Sequence, residues 1–146
     1  MGFWDASDSV LNSAAAEQWR VLLEALERPA SEARIRSLCH TWFIGDDLAA
    51  IAAMTDTQLE ATIETVRDWA QSLVDGGLPS LMATLRRAGL LERVLSLPGG
   101  ERDLTDLDHI VELMQSLTGG RPTAASALRS VFAELSNMGG ADDDGV

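Results

Sequence analysis

Glycine and proline positions cut this chain into stretches whose apolar residues recur every three or four places, and no stretch alternates every two. That pattern rules out a sheet-based core, because a half-buried strand needs a period of two and a hairpin needs turn dipeptides such as Asn-Gly. The sharpest boundary is "MTDTQL": Thr55 is an N-cap, Gln58 three places on completes a capping box, and Met54 and Leu59 are spaced as a hydrophobic staple. The helix it opens carries Leu59, Ile63, Val66, Ala70 and Leu73 on one face with Trp69 beside them, and stops at Gly76-Gly77. At about 20 residues, or roughly 30 Å, it reads as the spine of the domain.

The remaining boundaries follow the same logic. A first helix begins after Asn12 or Ser13, stops before Pro29, and carries Trp19, Leu22, Leu23 and Leu26 as its stripe. Ser31 opens a second, "SEARIRSLCHTWF", which Gly45 is expected to close, and Asp46 is expected to cap a short turn of helix, "DLAAIAAM". Pro79 suits a helix first turn, and Gly89 suits a left-handed terminus. The short segment "LLERVLSL" then leads to Pro98 and the turn Gly99-Gly100. Thr105 is read as the cap of "DLDHIVELMQSL", with Asp106 and Asp108 in its first turn and Leu107, Ile110, Val111, Met114 and Leu117 as its buried stripe. Gly119-Gly120 ends that helix, and Pro122 or Thr123 begins the last, whose apolar positions are Leu128, Val131, Phe132 and Leu135. The expected fold is all-α: a compact orthogonal or irregular bundle of about six to eight helices. It forms one domain over residues 1–138, with 139–146 an acidic tail or linker. The abrupt start "MGFWDASDSV" and the ending "GGADDDGV" read as a segment of a longer polypeptide.

Composition narrows function mainly by exclusion. At 146 residues the chain can bury a core without staples, and its single cysteine, Cys39, permits no internal disulfide, which fits a reducing cytoplasm. No apolar run is long enough to span a bilayer, and the N-terminus carries acids where a signal peptide carries bases. All 11 basic residues are arginines, so no phosphate-binding loop of the usual lysine-containing form is possible. Nucleophile elbow, paired-histidine zinc helix and calcium loop are missing too. Cys39 and His40 are consecutive, so on a helix they point about 100° apart; Cys39 reads as a small buried hydrophobe rather than a nucleophile. His109 lies beside an apolar stripe rather than in it. Trp19, Trp42 and Trp69 accompany apolar helix faces and read as core, whereas Trp4 lies outside any clear helix and is available to dock on the domain or a partner.

A net charge of −12 disfavours autonomous nucleic-acid binding. Against it, Arg86, Arg87, Arg93 and Arg102 gather near the glycine turn. One reading is a basic edge that touches phosphates or an acidic partner. The plainer one is that Glu92, Glu101 and Asp103 neutralise it in surface ion pairs of small consequence.

The run "GGERDLTDLDHIVELMQSL" resembles a segment of the RecB-type superfamily 1 (UvrD-like) helicase-nucleases, the beta subunits of exodeoxyribonuclease V. The matching positions are Gly99, Gly100, Glu101, Arg102, Leu104, Thr105, Asp106, Leu107, His109 and Ile110. "AAAEQWRVLLEALERP" and "LPSLMATLRRAGLLERVLSL" resemble more loosely the stretches that precede it in that family. The resemblance implies an inserted helical subdomain of the kind called 2B, working in double-strand-break repair and recombination. Its implied partners are the remainder of the RecB-like chain, RecC-like and RecD-like subunits and duplex DNA, with no membrane, and its implied location is cytoplasmic. The family's ATP-binding loop, Mg2+-binding motif, arginine finger and nuclease carboxylates have no counterpart here. The resemblance therefore implies ATP and Mg2+ for the parent enzyme, and no cofactor, metal ligand or catalytic residue for this chain. The competing class is a stand-alone helical protein-interaction or oligomerisation module.

Overall fold

Ser13 accepts a hydrogen bond at its hydroxyl from the Ala16 amide at 3.3 Å and so starts α1 (Ala14–Glu27). The structure, a computed structural model, describes residues 10–144, with side chains as far as residue 137. Trp4 therefore lies outside the described residues. Among these, seven helices follow in order: α1, α2 (Glu32–Cys39), α3 (Leu48–Ala52), α4 (Asp56–Arg87), α5 (Leu90–Leu95), α6 (Gly100–Thr118) and α7 (Ala125–Asp144). The all-α bundle read from the sequence is the fold observed. No strand occurs among the described residues, and no helix is long and apolar enough to cross a membrane. The backbone of α7 runs through most of the segment expected as an acidic tail or linker.

The centre of the bundle is α1, not the longer helix expected as its spine. Its residues Ala15, Ala16, Trp19, Leu22, Leu23, Ala25 and Leu26 are all buried, because α2, α4, α6 and α7 each pack against it. Small residues at 15, 16 and 25 let neighbouring helices approach, while Trp19 and the leucines fill the space between them. Trp19 meets Phe43 edge to face, with ring centroids 5.6 Å apart, and donates its indole N–H to the Leu107 carbonyl at 3.4 Å. The Glu27 carboxylate receives Arg34 at 3.3 Å and Arg129 at 3.4 Å, so one acid on α1 joins α2 and α7.

Two early boundaries differ from expectation. Ser31 caps α2 as read, but α2 ends at Cys39, six residues short of Gly45. Thr41 ends it: its hydroxyl donates to the Leu38 carbonyl at 2.6 Å and its amide to the same oxygen at 2.9 Å, turning the chain inward so that Phe43 is buried. Gly45, at φ +86°, closes this loop rather than the helix. The cap of α3 is Asp47, not Asp46; its Oδ1 accepts from the Ala50 amide at 2.7 Å.

The capping box at Thr55 and Gln58 forms as read, and caps of this kind each contribute about 1 kcal/mol. Gly77 breaks α4 into two arms, with φ 75° and ψ −170°, and Pro79 follows in the first turn of the second arm. The bend is sharp. Residues twelve places apart on a straight helix would stand roughly 18 Å apart, yet the Ser72 hydroxyl lies 2.7 Å from that of Ser80 and 3.1 Å from that of Thr84. The Leu73 carbonyl accepts from the Thr123 amide at 3.2 Å. Gly77 lies so close to the following glycine turn that a Cβ there would come within 2.5 Å of the Gly120 carbonyl oxygen. The two glycine pairs, forty-three residues apart in sequence, are thus packed on one another.

The last helix begins at Ala125, not at Pro122 or Thr123. Thr123 is occupied instead by its bond to α4, and its hydroxyl donates to the Arg121 carbonyl at 2.6 Å. Leu128 and Phe132 are buried and Val131 and Leu135 half-buried, as the periodicity required.

Candidate functional site

The run that carried the family resemblance is a tight corner between α5 and α6. Gly99 takes φ +72°, where it faces open space, and Gly100 begins α6 immediately after it. A Cβ at Gly100 would come within 2.0 Å of the Val94 carbonyl oxygen and 3.0 Å of the Leu95 Cα. The first glycine thus supplies backbone rotation and the second supplies clearance.

This contact moves the helix start. Thr105, expected as the cap, lies inside α6, and its hydroxyl donates back to the Glu101 carbonyl at 3.0 Å. The acids of the first turn are Glu101 and Asp103, not Asp106 and Asp108. Leu107, Ile110 and Met114 are wholly buried and Val111 half-buried, as read, but Leu117 is 52% exposed, because the buried position in this last turn is taken by Thr118. Leu104 packs against the core edge, while Glu101 and Arg102 are exposed and His109 is half-buried.

Two replacements separate the roles of the glycines. Gly99→Ala meets only the left-handed backbone penalty, roughly 1 kcal/mol. Gly100→Ala forces α5 and α6 apart and is expected to cost about 2–3 kcal/mol, in the range of other overpacked contacts. Urea denaturation of the two variants reads the difference; equal losses would show that the Val94 contact relaxes freely.

The four arginines do not form one patch. The Arg93 guanidinium donates to the Trp42 carbonyl at 2.7 Å and to the Ala88 carbonyl at 2.9 Å, and its stem lies beneath Gly45, where a Cβ would approach Arg93 Cδ to 2.5 Å. The Trp42 amide meanwhile donates to the Gln18 side chain at 2.7 Å. Arg93 is therefore a clamp that holds the Thr41–Gly45 loop between α1 and α5. A basic residue pinning a distant carbonyl gives no signal in local spacing, so the sequence could not reveal it.

The other three are exposed. Arg86 lies 3.9 Å from Asp108 across the α4–α6 boundary, where Pro79, Met82, Val111, Glu112 and Gln115 line a shallow groove of about 350 Å³. Arg87 donates to the Thr84 hydroxyl at 3.2 Å. Arg102, Glu92, Glu101 and Asp103 form no ion pair among the described residues, so of the four arginines only Arg86 is neutralised, and by Asp108 rather than by those three acids. Six residues separate Arg102 from Asp108 on α6, which sets them roughly 120° apart around the helix axis. Arg86 with Arg87 and Arg102 thus mark two flanks of the corner.

Cys39 is fully buried, and loss of hydration, with a smaller contribution from the nearby Asp46 carboxylate, pushes its thiol up to about 11. At neutral pH it is a packed, protonated side chain. His40 is exposed, with Nδ1 3.2 Å from the Asp46 carbonyl oxygen. Trp19 and Trp69 are core, and Trp42 is half-buried at its edge. Among the described residues no three of His, Cys, Asp and Glu converge as metal ligands. The sequence contains no lysine, so it holds no phosphate-binding loop of the usual lysine-containing form.

Comparison with known proteins finds the chain similar to one kind of protein repeatedly. It is 33% identical over 138 residues, 94% of its length, to the RecBCD enzyme subunit RecB of Mycolicibacterium smegmatis. It is 38% identical over 105 residues, 72% of its length, to that of Mycobacterium tuberculosis, and 31% identical over 111 residues, 74% of its length, to that of Escherichia coli. The aligned regions are 13%, 10% and 9% of those relatives, so the chain spans about a tenth of their length. No family model matches it.

Proposed function

Since this chain belongs to the RecB family as a stretch about a tenth the length of its relatives, we propose that it is the inserted, 2B-like helical subdomain of an ATP-dependent DNA helicase-nuclease. In this reading the parent acts in double-strand-break repair and recombination in the cytoplasm, with RecC-like and RecD-like subunits, and takes its ATP and Mg2+ elsewhere than here. The subdomain contributes docking and transmitted motion, not chemistry. The observation that carries the reading is identity at the 33% level across nearly the whole chain.

The geometry gives that role a physical basis. A lever between a motor and its DNA has to move as one piece, so its internal joints must be stiffer than its tethers. Three joints here are stiffened by close contacts: Gly100 against Val94, Arg93 across the Trp42 loop, and Gly77 against the Gly119–Gly120 turn. In this reading Arg86, Arg87 and Arg102 meet duplex DNA or a sister subunit, which their exposure supports, while Arg93 holds the Trp42 loop.

Duplex DNA titrated into the purified chain at increasing salt tests the DNA half of this reading. Binding is expected to weaken with salt, and changing Arg86, Arg87 and Arg102 together to Ala is expected to flatten the log–log slope by about 2 to 3. Salt-dependent binding that survives the triple change would move the contact elsewhere, and no binding at all would leave these arginines to a protein partner.

A further inference from the structure

The short helix α3 has the composition of a core element and the exposure of a surface one. Its residues Leu48, Ala49, Ala50, Ile51 and Ala52 are all apolar, none is buried, and Leu48 is 68% exposed; Ala53 beyond them is exposed too. Its position is nonetheless fixed. Asp47 caps it, and the Arg36 guanidinium donates to the Ile51 carbonyl at 3.0 Å while paired with Glu32. Ile51 is half-buried and packs against the core, whereas the exposed ridge of Leu48, Ala49 and Ala52 gains the hydrophobic term only when covered.

The charge around it says what kind of cover fits. Asp47 precedes the helix, Asp56 and Glu60 follow on the first turns of α4, all three are exposed, and none has an arginine partner among the described residues. The nearby cation, Arg36, is already engaged. A second copy of this chain would set these carboxylates against one another, which opposes self-association here. An apolar segment flanked by basic residues suits both the ridge and its rim. Resting on the RecB-type reading, in which about nine tenths of the polypeptide lies outside this chain, we propose that α3 is the seat of an arginine- or lysine-flanked apolar segment from the remainder of that polypeptide.

Two arms test the chemistry and the source separately. In the first, a labelled helical peptide with leucines along one face and arginines beside them is titrated into the purified chain, with a glutamate-for-arginine peptide as control. The arginine peptide is expected to bind at least roughly tenfold tighter, and Leu48→Asp is expected to remove that binding while Leu117→Asp, at another exposed leucine far from α3 in sequence, leaves it. Circular dichroism confirms that both variants remain folded. Failure of the arginine peptide, or equal loss in both variants, overturns the proposal whatever the family reading. In the second arm, this sequence replaces the matching region of Mycolicibacterium smegmatis RecB, with a photo-cross-linking phenylalanine at position 48. A cross-link inside the same polypeptide is the expected result. A cross-link to another subunit or to a second copy, or none in a chimera that still purifies with its subunits, overturns the assigned source and leaves family membership standing.

Discussion

Replacing Gly77 by Ala is expected to destabilise the domain by on the order of 3–4 kcal/mol, and Gly119 by Ala only by about 1 kcal/mol. Both residues have positive φ, 75° and 68°. The difference lies in what surrounds them. At Gly119 a Cβ would meet nothing closer than 3.8 Å, so the backbone penalty stands alone. At Gly77 the ψ of −170° puts the residue in a region essentially reserved for glycine, and the Cβ would also meet two backbone oxygens, Gly120 at 2.5 Å and Arg121 at 2.6 Å. Relief would require pulling the Gly119–Gly120 turn off α4 and breaking the Thr123 amide bond to the Leu73 carbonyl. Urea denaturation followed by circular dichroism measures both losses, and amide exchange at Thr123 is expected to accelerate in the Gly77 variant alone. Equal losses at the two glycines would mean that the turn gives way at little cost, and the joint would then be no stiffer than its neighbours.

The same joint shows where sequence reading works and where it stops. Glycine pairs at 76–77, 99–100 and 119–120 are legible as breaks because positive φ is a property of one residue and needs no knowledge of the partner. The capping box at Thr55 is legible because both of its bonds close within four residues. Apolar faces are legible because a period of 3.6 is local too, and Trp19, Leu22, Leu23 and Leu26 all lie in the core. What escaped was set by how the elements pack on one another. Thr105 looks like a cap in isolation, but the approach of Gly100 to Val94 lets α6 begin six residues earlier. The loop before Gly45 looks helical by composition, yet burying Phe43 against Trp19 turns it inward after Cys39. Arg93 looked like a member of a basic edge, and its bond to the Trp42 carbonyl spans fifty-one positions. Leu117 fitted the stripe, but Thr118 beside it takes the buried position, and periodicity cannot say how wide the covered face is.

Trp19 is the residue on which the centre depends, and Trp19→Ala is expected to cost about 3–5 kcal/mol, the range for deleting a fully buried large aromatic ring. The indole is inaccessible to solvent on a helix that four others cover, so the vacated volume has no rigid neighbour free to fill it. Three effects add: the lost transfer energy of the ring, the cavity it leaves, and the lost edge-to-face contact with Phe43. The indole bond to the Leu107 carbonyl is a smaller term at 3.4 Å, because that oxygen lies within α6 and can accept from its own helix. Trp19→Phe separates these contributions. It keeps most of the buried area and the ring contact while removing the N–H, and is expected to cost roughly 1–2 kcal/mol. Denaturant midpoints for the pair, read with the slope unchanged, give both numbers. If Ala and Phe were equally costly, the bond to Leu107 would outweigh packing, and α1 would be fastened to α6 by one hydrogen bond rather than by the ring that fills the space between them.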